Sequence, residues 1–321
     1  MIKTNMTKIL KKHSLMGLMR AMSSTSTSSS KEPIQLVFLR HGQSTWNHQN
    51  IFIGMTDTPL TEDGMKEARI AGHLLLENNI SIDVVYTSLL RRSIKTAWIV
   101  MQELGMEWCT VIKDWRLNER NYGLLVGQNK KECVAKFGKD QVKQWRRSWD
   151  TPPPAMSKSS QYWPGKDIRY KVLGICESLI PTHESLKDVT KRTSQFWDEV
   201  IEPQLRLKKK IIIVGHENNL RSIIKRLDAI SNEDIIDLEL PRAIPLVYHL
   251  DPDTLKPIKL EGSANLLSGK YLGDAEQIKT IAARDLMQVY DTSIKENLEV
   301  APFLGVITNN LPDASLKRKH F

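Results

Sequence analysis

Cysteine, long apolar runs and acidic residues near the N-terminus are all scarce in this 321-residue sequence. The three cysteines, Cys109, Cys133 and Cys176, are widely separated and odd in number, so they provide neither a disulfide framework nor the close spacing of a metal site. This usage suits a reducing intracellular compartment. No apolar run approaches the ~20 residues that cross a bilayer, so we do not expect a membrane protein.

The positive charge of the chain is unevenly distributed. The formal net charge is +9 at pH 7, and six basic residues with no acidic residue lie within positions 1–31, which leaves +3 for the remainder. That value is ordinary for a protein that gathers arginines around a small anion. We therefore expect no nucleic acid among its partners.

Residues 1–32 form a basic segment that is rich in serine and threonine and has no acidic residue before Glu32. This composition is typical of a mitochondrial transit peptide, although its apolar residues share one helical face only as far as His13. A disordered extension on a cytosolic protein explains the composition equally well. We divide the chain into this extension, a folded domain over residues 33–274 and a tail over residues 275–321.

From residue 34 onward, predicted strands alternate with predicted helices. The strands are expected at residues 34–39, 82–86, 110–113, 211–214 and 245–250, and the helices at residues 62–78, 90–103, 185–201 and 219–227. This alternation predicts an α/β fold, a three-layer sandwich with a mostly parallel sheet covered by helices on both faces. The less regular stretch 129–176 is interpreted as an insertion that folds over the carboxyl edge of the sheet as a lid or substrate wall.

Two predicted strands each deliver a histidine at their carboxyl end. Arg40, His41 and Gly42 follow the first apolar run, and Gly215 and His216 follow the run at residues 211–214. Ligands bind at this edge in open α/β folds. An Arg-His-Gly tripeptide alone is weak support, but a second histidine at the matching place predicts two imidazoles that face one anion.

Seven segments recur in the order found in one enzyme family, across about seven-tenths of the chain. They are RHGQSTWN at 40–47, TSLLRR at 87–92, WRLNERNYG at 115–123, WRRSWDTPPP at 145–154, ESLKD at 184–188, GH at 215–216 and LPRAIP at 240–245. With them the chain resembles the cofactor-dependent phosphoglycerate mutases of the histidine phosphatase superfamily. The WRRS and PPP segment in particular separates these mutases from other histidine phosphatases.

The resemblance implies a catalytic set around His41. Neutral imidazole is a suitable nucleophile for phosphoryl transfer, so His41 would become a phosphohistidine. Arg40, Arg92 and His216 would surround the transferring phosphoryl group, with His216 stabilising the transition state. Glu119 would move protons to and from the substrate hydroxyls, as a carboxyl with a pKa near neutrality can.

The resemblance also implies further contacts to substrate and a reaction partner. The implied binding residues are the pocket arginines and Glu119 together with Asn47, Asn50, Ile53, Gly54, Arg120, Tyr122, Lys130, Arg146, Arg147, Glu217 and Asn218. The substrate would be a small phosphorylated molecule, the primer 2,3-bisphosphoglycerate, and no metal would be needed. A homo-oligomer, most simply a dimer, and a cytoplasmic location are also expected, unless residues 1–32 direct the chain to mitochondria.

At two positions the sequence departs from the family pattern. Ile53 stands before Gly54, where these enzymes usually carry a small hydroxyl residue, and Glu217 follows His216, where they usually carry glycine. A carboxylate that faced a phosphate ~5 Å away would repel it by ~3 kcal/mol per unit charge at an effective dielectric of ~20. A side chain that pointed outward would have little effect, and the sequence leaves both orientations open.

Three functions follow as hypotheses. The first is a mutase that interconverts 3-phosphoglycerate and 2-phosphoglycerate through phosphorylated His41, in glycolysis and gluconeogenesis. The second is a phosphomonoesterase, in which water discharges the same intermediate. The third, favoured only by Ile53 and Glu217, is a weakly active or non-catalytic relative used for binding. The intact set of charged residues argues for one of the two enzymes.

Overall fold

A computed structural model of the chain describes residues 32–274 and, beyond them, residues 278 and 281. The predicted N-terminal extension and the predicted tail, with its basic residues 317–319, thus lie outside the described residues apart from Glu32 and those two positions. The predictions of a transit peptide, a dimer and a cellular compartment stay predictions. Within the described residues, no helix is both long and apolar enough to cross a membrane.

The central strand β1 (Ile34–Arg40) is buried at every residue except Gln35. Such a continuous apolar run is typical of a strand covered on both faces. Strand β1 pairs in parallel with β4 (Ile211–Gly215), in the register Leu36 opposite Ile211. Residues 41 and 216, which follow these two strands, are thereby brought to the same edge of the sheet.

Six strands are ordered β3-β2-β4-β1-β5-β6, and β7 also pairs with β5. The three pairs among β1, β2, β3 and β4 are parallel, whereas β5 is antiparallel to β1, β6 and β7. The remaining strands are β2 (Val84–Thr87), β3 (Thr110–Lys113), β5 (Leu246–Leu250), β6 (Pro257–Ile258) and β7 (Lys270–Tyr271). The predicted mostly parallel sheet is confirmed, with an antiparallel margin.

Helices cover both faces of the sheet. Val37 and Leu39 of β1 face a cluster with side chains of α2 (Glu62–Glu77) and α3 (Arg91–Glu103), while Leu36 and Phe38 face α7 (Leu186–Phe196) and α9 (Glu217–Leu227). The alternation of β1 side chains between the two clusters confirms the three-layer prediction. The helix predicted over residues 185–201 becomes a π-helical turn at Trp197–Ile201 before α8 (Glu202–Arg206).

The predicted insertion contains α4 (Lys130–Phe137), α5 (Lys139–Arg147) and α6 (Ile168–Val172). Cys133, Val142 and Trp145 from this segment share a buried cluster with Phe52 and Leu125. Phe52 lies after β1 and Leu125 lies after β3, so the insertion packs beside the carboxyl edge of the sheet. Its role as a lid or substrate wall stays a prediction.

The loop after β1 packs closely against the first turn of α2. A Cβ atom added to Gly42 would lie 2.2 Å from the carbonyl oxygen of Gly64, and one added to Gly64 would lie 2.0 Å from the carbonyl oxygen of Gln43. Only glycine at both positions permits this approach. The short helix α1 (Thr45–His48) follows, and the Ser44 hydroxyl caps it by accepting from the Asn47 amide.

Candidate active site

The His41 ring is fixed with one nitrogen available to react. Its Nδ1 atom lies 2.7 Å from the carbonyl oxygen of Gly42, and a carbonyl can only accept, so Nδ1 carries the proton. Nε2 therefore presents a lone pair, toward which Nε of Arg92 donates at 3.2 Å. The backbone amide of His41 donates to the Gly215 carbonyl at 3.0 Å, which ties this loop to the end of β4.

His216 lies beside His41, as the strand ends predicted. The two ring centroids are 5.0 Å apart, with an interplanar angle of 63°. Nε2 of His216 lies 2.8 Å from Oγ of Ser88, a residue that follows β2. The other nitrogen, Nδ1, is buried and has no hydrogen-bond partner within the part of the chain that the structure describes. Two imidazoles thus border one site at the carboxyl ends of β1, β2 and β4.

Both imidazoles are held in the neutral form. Burial lowers the pKa of His41 well below 6.5, and the positive charges of Arg92 and Arg40 lower that pKa further. Burial also lowers the pKa of His216, with Arg92 and His41 adding to the effect. A neutral ring is the form that can attack phosphorus, so this environment suits the nucleophilic role predicted for His41.

Arg92 contacts the predicted nucleophile and is 1% exposed. Its Nη1 donates to the carbonyl of Thr56 at 2.8 Å, and its Nη2 donates to the carbonyl of Gly54 at 2.9 Å. Burial lowers the pKa of Arg92 to about 10, and the charge of Glu119 acts in the opposite direction. The guanidinium remains charged at neutral pH. Gly54 adopts a φ of +56°, a conformation that favours glycine and aims its carbonyl at Arg92.

The carboxylate predicted to move protons, Glu119, is held at the start of α9. Its Oε1 atom accepts from the backbone amides of Arg120 at 2.7 Å and of Asn218 at 3.3 Å. In the described part of the chain, Oε2 accepts no hydrogen bond. The carboxylate therefore has one oxygen fixed by the protein and one that a substrate hydroxyl could reach.

A buried ion pair that the sequence did not reveal holds the backbone of Glu119. Arg192 on α7 donates to both carboxylate oxygens of Glu184, at 2.7 and 3.0 Å. The same guanidinium donates to the carbonyls of Arg116 at 2.7 Å, Asn118 at 2.8 Å and Glu119 at 3.2 Å. Glu184 belongs to a segment that carried the family resemblance, and that segment was the only available signal for this pair.

Arg120, Tyr122 and Asn218 form a second group next to Glu119. Nη2 of Arg120 donates to the Tyr122 hydroxyl at 3.1 Å, and Nδ2 of Asn218 donates to the same hydroxyl at 3.2 Å. Arg120 is fully buried, yet its Nε and Nη1 atoms have no partner among the described residues. A buried charge with unsatisfied donors is costly, so an anionic ligand group would be stabilised there.

Glu217 points into the site. Its Oε1 atom lies 2.6 Å from Nη1 of Arg147, and its Oε2 atom lies 3.1 Å from Nη2 of Arg40. Burial raises the pKa of this carboxyl, but Arg40, Arg147 and Arg221 outweigh burial and hold that pKa well below 4.5. The carboxylate is therefore charged and bridges two of the arginines that the sequence assigned to the phosphorylated ligand.

The remaining predicted site residues lie in α1, in the loop that follows it, and in helices α4 and α5 of the insertion. Oδ1 of Asn47 accepts from the Ser44 amide at 3.1 Å and from the Ser44 hydroxyl at 2.8 Å. Ile53 is buried beside Gly54. The half-buried Lys130 begins α4, and its amide donates to the Asn50 carbonyl at 2.9 Å. Arg146 is buried, and its carbonyl accepts from Nη2 of Arg120. Their roles toward substrate stay predictions.

Comparisons with known proteins agree with this architecture. Residues 36–163 match the sequence profile of the histidine phosphatase superfamily (branch 1). Solved structures with a similar fold include the alpha-ribazole phosphatase from Shigella flexneri, with a TM-score of 0.51 and 19% identity over 75% of this chain and 98% of that one. YhfR from Bacillus stearothermophilus has a TM-score of 0.53 and 18% identity over 72% of this chain and 98% of that one.

A mycobacterial glucosyl-3-phosphoglycerate phosphatase in complex with VO3 is also similar, with a TM-score of 0.52 and 22% identity over 67% of this chain and 92% of that one. The chain therefore has a fold similar to that of these phosphatases, and its residues 36–163 match the branch 1 profile. These comparisons support the superfamily predicted from the sequence but do not single out its mutases. Among the described residues, no three histidine, cysteine, aspartate or glutamate side chains are grouped so that they could hold a metal ion.

Proposed function

We propose that this chain hydrolyses phosphate monoesters through a phosphohistidine formed at Nε2 of His41. The observation that carries the proposal is the fixed His41 ring, whose Nδ1–H donates to the Gly42 carbonyl while Nε2 faces Arg92. Arg92 contacts this Nε2 atom and the His216 ring lies beside the His41 ring, which suits a transition state whose charge spreads over the phosphoryl oxygens. The similar structures that carry phosphatase names support the same reaction class.

The reaction has two steps. Nε2 of His41 attacks phosphorus, the ester P–O bond breaks, and the leaving alkoxide takes a proton from the carboxyl form of Glu119. Water then attacks the phosphohistidine, Glu119 accepts a proton from that water, and the P–N bond breaks to release inorganic phosphate. Oε2 of Glu119 is the oxygen we assign to both transfers, because Oε1 already accepts from two backbone amides.

The mutase is the second candidate, and one observation favours it. Arg120 keeps two unsatisfied buried nitrogens beside Tyr122 and Asn218, which suits the carboxylate of a phosphoglycerate. When bound, 2,3-bisphosphoglycerate would supply the phosphoryl group that primes His41. Its second phosphate would need further cations, and Arg40 and Arg147 already bind Glu217. The residues present therefore fit the primer less well than they fit a phosphate monoester.

One assay separates the functions. The full chain is incubated with 3-phosphoglycerate, with and without 2,3-bisphosphoglycerate, and both 2-phosphoglycerate and free phosphate are followed. Free phosphate without isomer supports the phosphatase, isomer without phosphate supports the mutase, and neither product supports a binding relative. His41→Ala must abolish the product and the acid-labile label on the protein. Glu119→Gln should lower turnover at least about a hundredfold while label still accumulates from a substrate with a good leaving group.

A further inference from the structure

The contact pattern of Glu217 is that of a carboxylate bound by two arginines. Each of its oxygens lies on a different guanidinium, and the side chains of Arg40 and Arg147 are only 9% and 4% exposed. Glu217 is also the first residue of α9, where the helix N-terminus favours negative charge. The chain thus supplies its own anion at a position that a ligand anion could occupy.

Arg147 is bound by protein atoms at all three of its nitrogens. Besides Glu217, its Nε donates to the Ile236 carbonyl at 3.1 Å, and its Nη2 donates to the Leu238 carbonyl at 2.6 Å and pairs with Glu239 at 3.0 Å. Because two carboxylates already pair with this guanidinium, it has little capacity for a further anion. Arg120 has two nitrogens without a partner among the described residues, so it can still bind an anionic group.

We propose that Glu217 determines substrate specificity by occupying, with its own carboxylate, the place on Arg40 and Arg147 where a second phosphate of a substrate would bind. The site then accepts phosphate monoesters with no further acidic group or with one carboxylate, which Arg120 can bind, and it discriminates against bisphosphates. This inference rests on the proposed function, because the discrimination concerns the ligand whose phosphoryl group reaches His41.

Three ligands of increasing charge test the inference: glycerol 3-phosphate, 3-phosphoglycerate and 2,3-bisphosphoglycerate. The measured quantity is kcat/KM for phosphate release by the full chain, relative to that for glycerol 3-phosphate. Glu217→Gln removes the charge and keeps the shape, and we expect it to raise the relative kcat/KM for 2,3-bisphosphoglycerate at least about tenfold. The value for 3-phosphoglycerate should change less than about threefold, because its carboxylate is assigned to Arg120.

Two further variants keep the test specific. Glu239→Gln removes the other carboxylate on Arg147 but leaves the bridge to Arg40, so the selectivity should stay at the wild-type value. Glu217→Asp keeps the charge on a shorter side chain that cannot span both arginines. Its relative kcat/KM for 2,3-bisphosphoglycerate should lie between those of wild type and Glu217→Gln. It also serves if the glutamine variant does not fold.

Calorimetric titration with 2,3-bisphosphoglycerate gives a readout that needs no turnover. Tighter binding to the glutamine variant than to wild type, at least about tenfold, supports the inference even if no phosphate is released and the proposed function fails. Equal affinity and unchanged selectivity would overturn the inference while leaving a measured phosphatase activity intact. An equal gain in Glu239→Gln would also overturn it, because general charge reduction would then explain the effect.

Discussion

Lowering the pH should destabilise the folded protein through its two site histidines. His41 and His216 are 3% and 0% exposed, and burial with nearby arginines holds both pKa values well below 6.5. Above pH 6.5 the rings are neutral in the folded and unfolded states. Below it the unfolded chain binds two protons that the folded chain does not, so the free energy of unfolding falls as the pH falls.

The magnitude follows from the number of protons. Each proton bound only by the unfolded state changes the free energy of unfolding by about 1.4 kcal/mol per pH unit. Because the unfolded rings bind their protons mainly below pH 6.5, the two histidines give a loss of up to about 2.7 kcal/mol between pH 7.5 and 5.5, and the loss ends where the pH passes the folded pKa values. The carboxyl of Glu217 titrates well below 4.5 in the folded state, so its contribution is lost only at lower pH, outside this window.

Urea unfolding followed by tryptophan fluorescence at pH 7.5, 6.5 and 5.5 measures this slope, since the chain contains eight tryptophans. His216→Gln should remove about half of the loss, and His41→Gln should do the same. His48→Gln replaces an exposed imidazole and should leave the slope unchanged. If the free energy of unfolding does not change between pH 7.5 and 5.5, or if both site variants keep the whole wild-type loss, His41 and His216 are not a buried neutral pair.

Two further substitutions test how the site is positioned. Arg192→Met leaves the buried Glu184 carboxylate and three backbone carbonyls without their hydrogen-bond donor, so the free energy of unfolding in urea should fall by about 3–5 kcal/mol. Adding Glu184→Gln should recover part of this loss. A loss under about 1 kcal/mol would contradict the positioning role. Gly64→Ala forces the His41 loop away from α2 and should lower phosphate release at least about tenfold. Gly105→Ala is the control, because its new Cβ meets nothing within 4 Å. It should lose about 1 kcal/mol of stability and keep its turnover. If Gly64→Ala and Gly105→Ala lose turnover equally, the argument about the His41 loop is contradicted.

The framework of the fold was predictable because it follows from burial. Strands β1 and β4 are covered on both faces, so apart from Gln35 their sequences are apolar up to the terminal Arg40 and Gly215. The two-residue strands β6 and β7 are too short to carry a period and were missed. The π-helical turn at Trp197–Ile201 was also missed, since the helical pattern of apolar residues continues through it.

Apart from the family resemblance, the site was predictable only where a residue's position along a strand determines its place. His41 and His216 follow two parallel neighbours, so their meeting is a consequence of sheet topology. Arg192 lies more than 70 residues from the carbonyls it binds, and on a helix such as α7 it resembles an ordinary polar residue. The orientation of Glu217 depends on side-chain rotamers and on Arg147 from the insertion, which no local pattern encodes.

The number of arginines near a site does not measure how many anions it can bind. Arg221 is fully buried, and burial lowers its pKa to about 9, with the positive charge of Arg147 adding to the shift. Like charges at this density need counter-charges, from a ligand or from the protein. Glu217 and Glu239 supply them around Arg147, whereas Arg120 keeps two donors without partners. From this unequal pairing we expect a substrate whose phosphoryl group lies at His41 and Arg92 to extend toward Arg120, Tyr122 and Asn218.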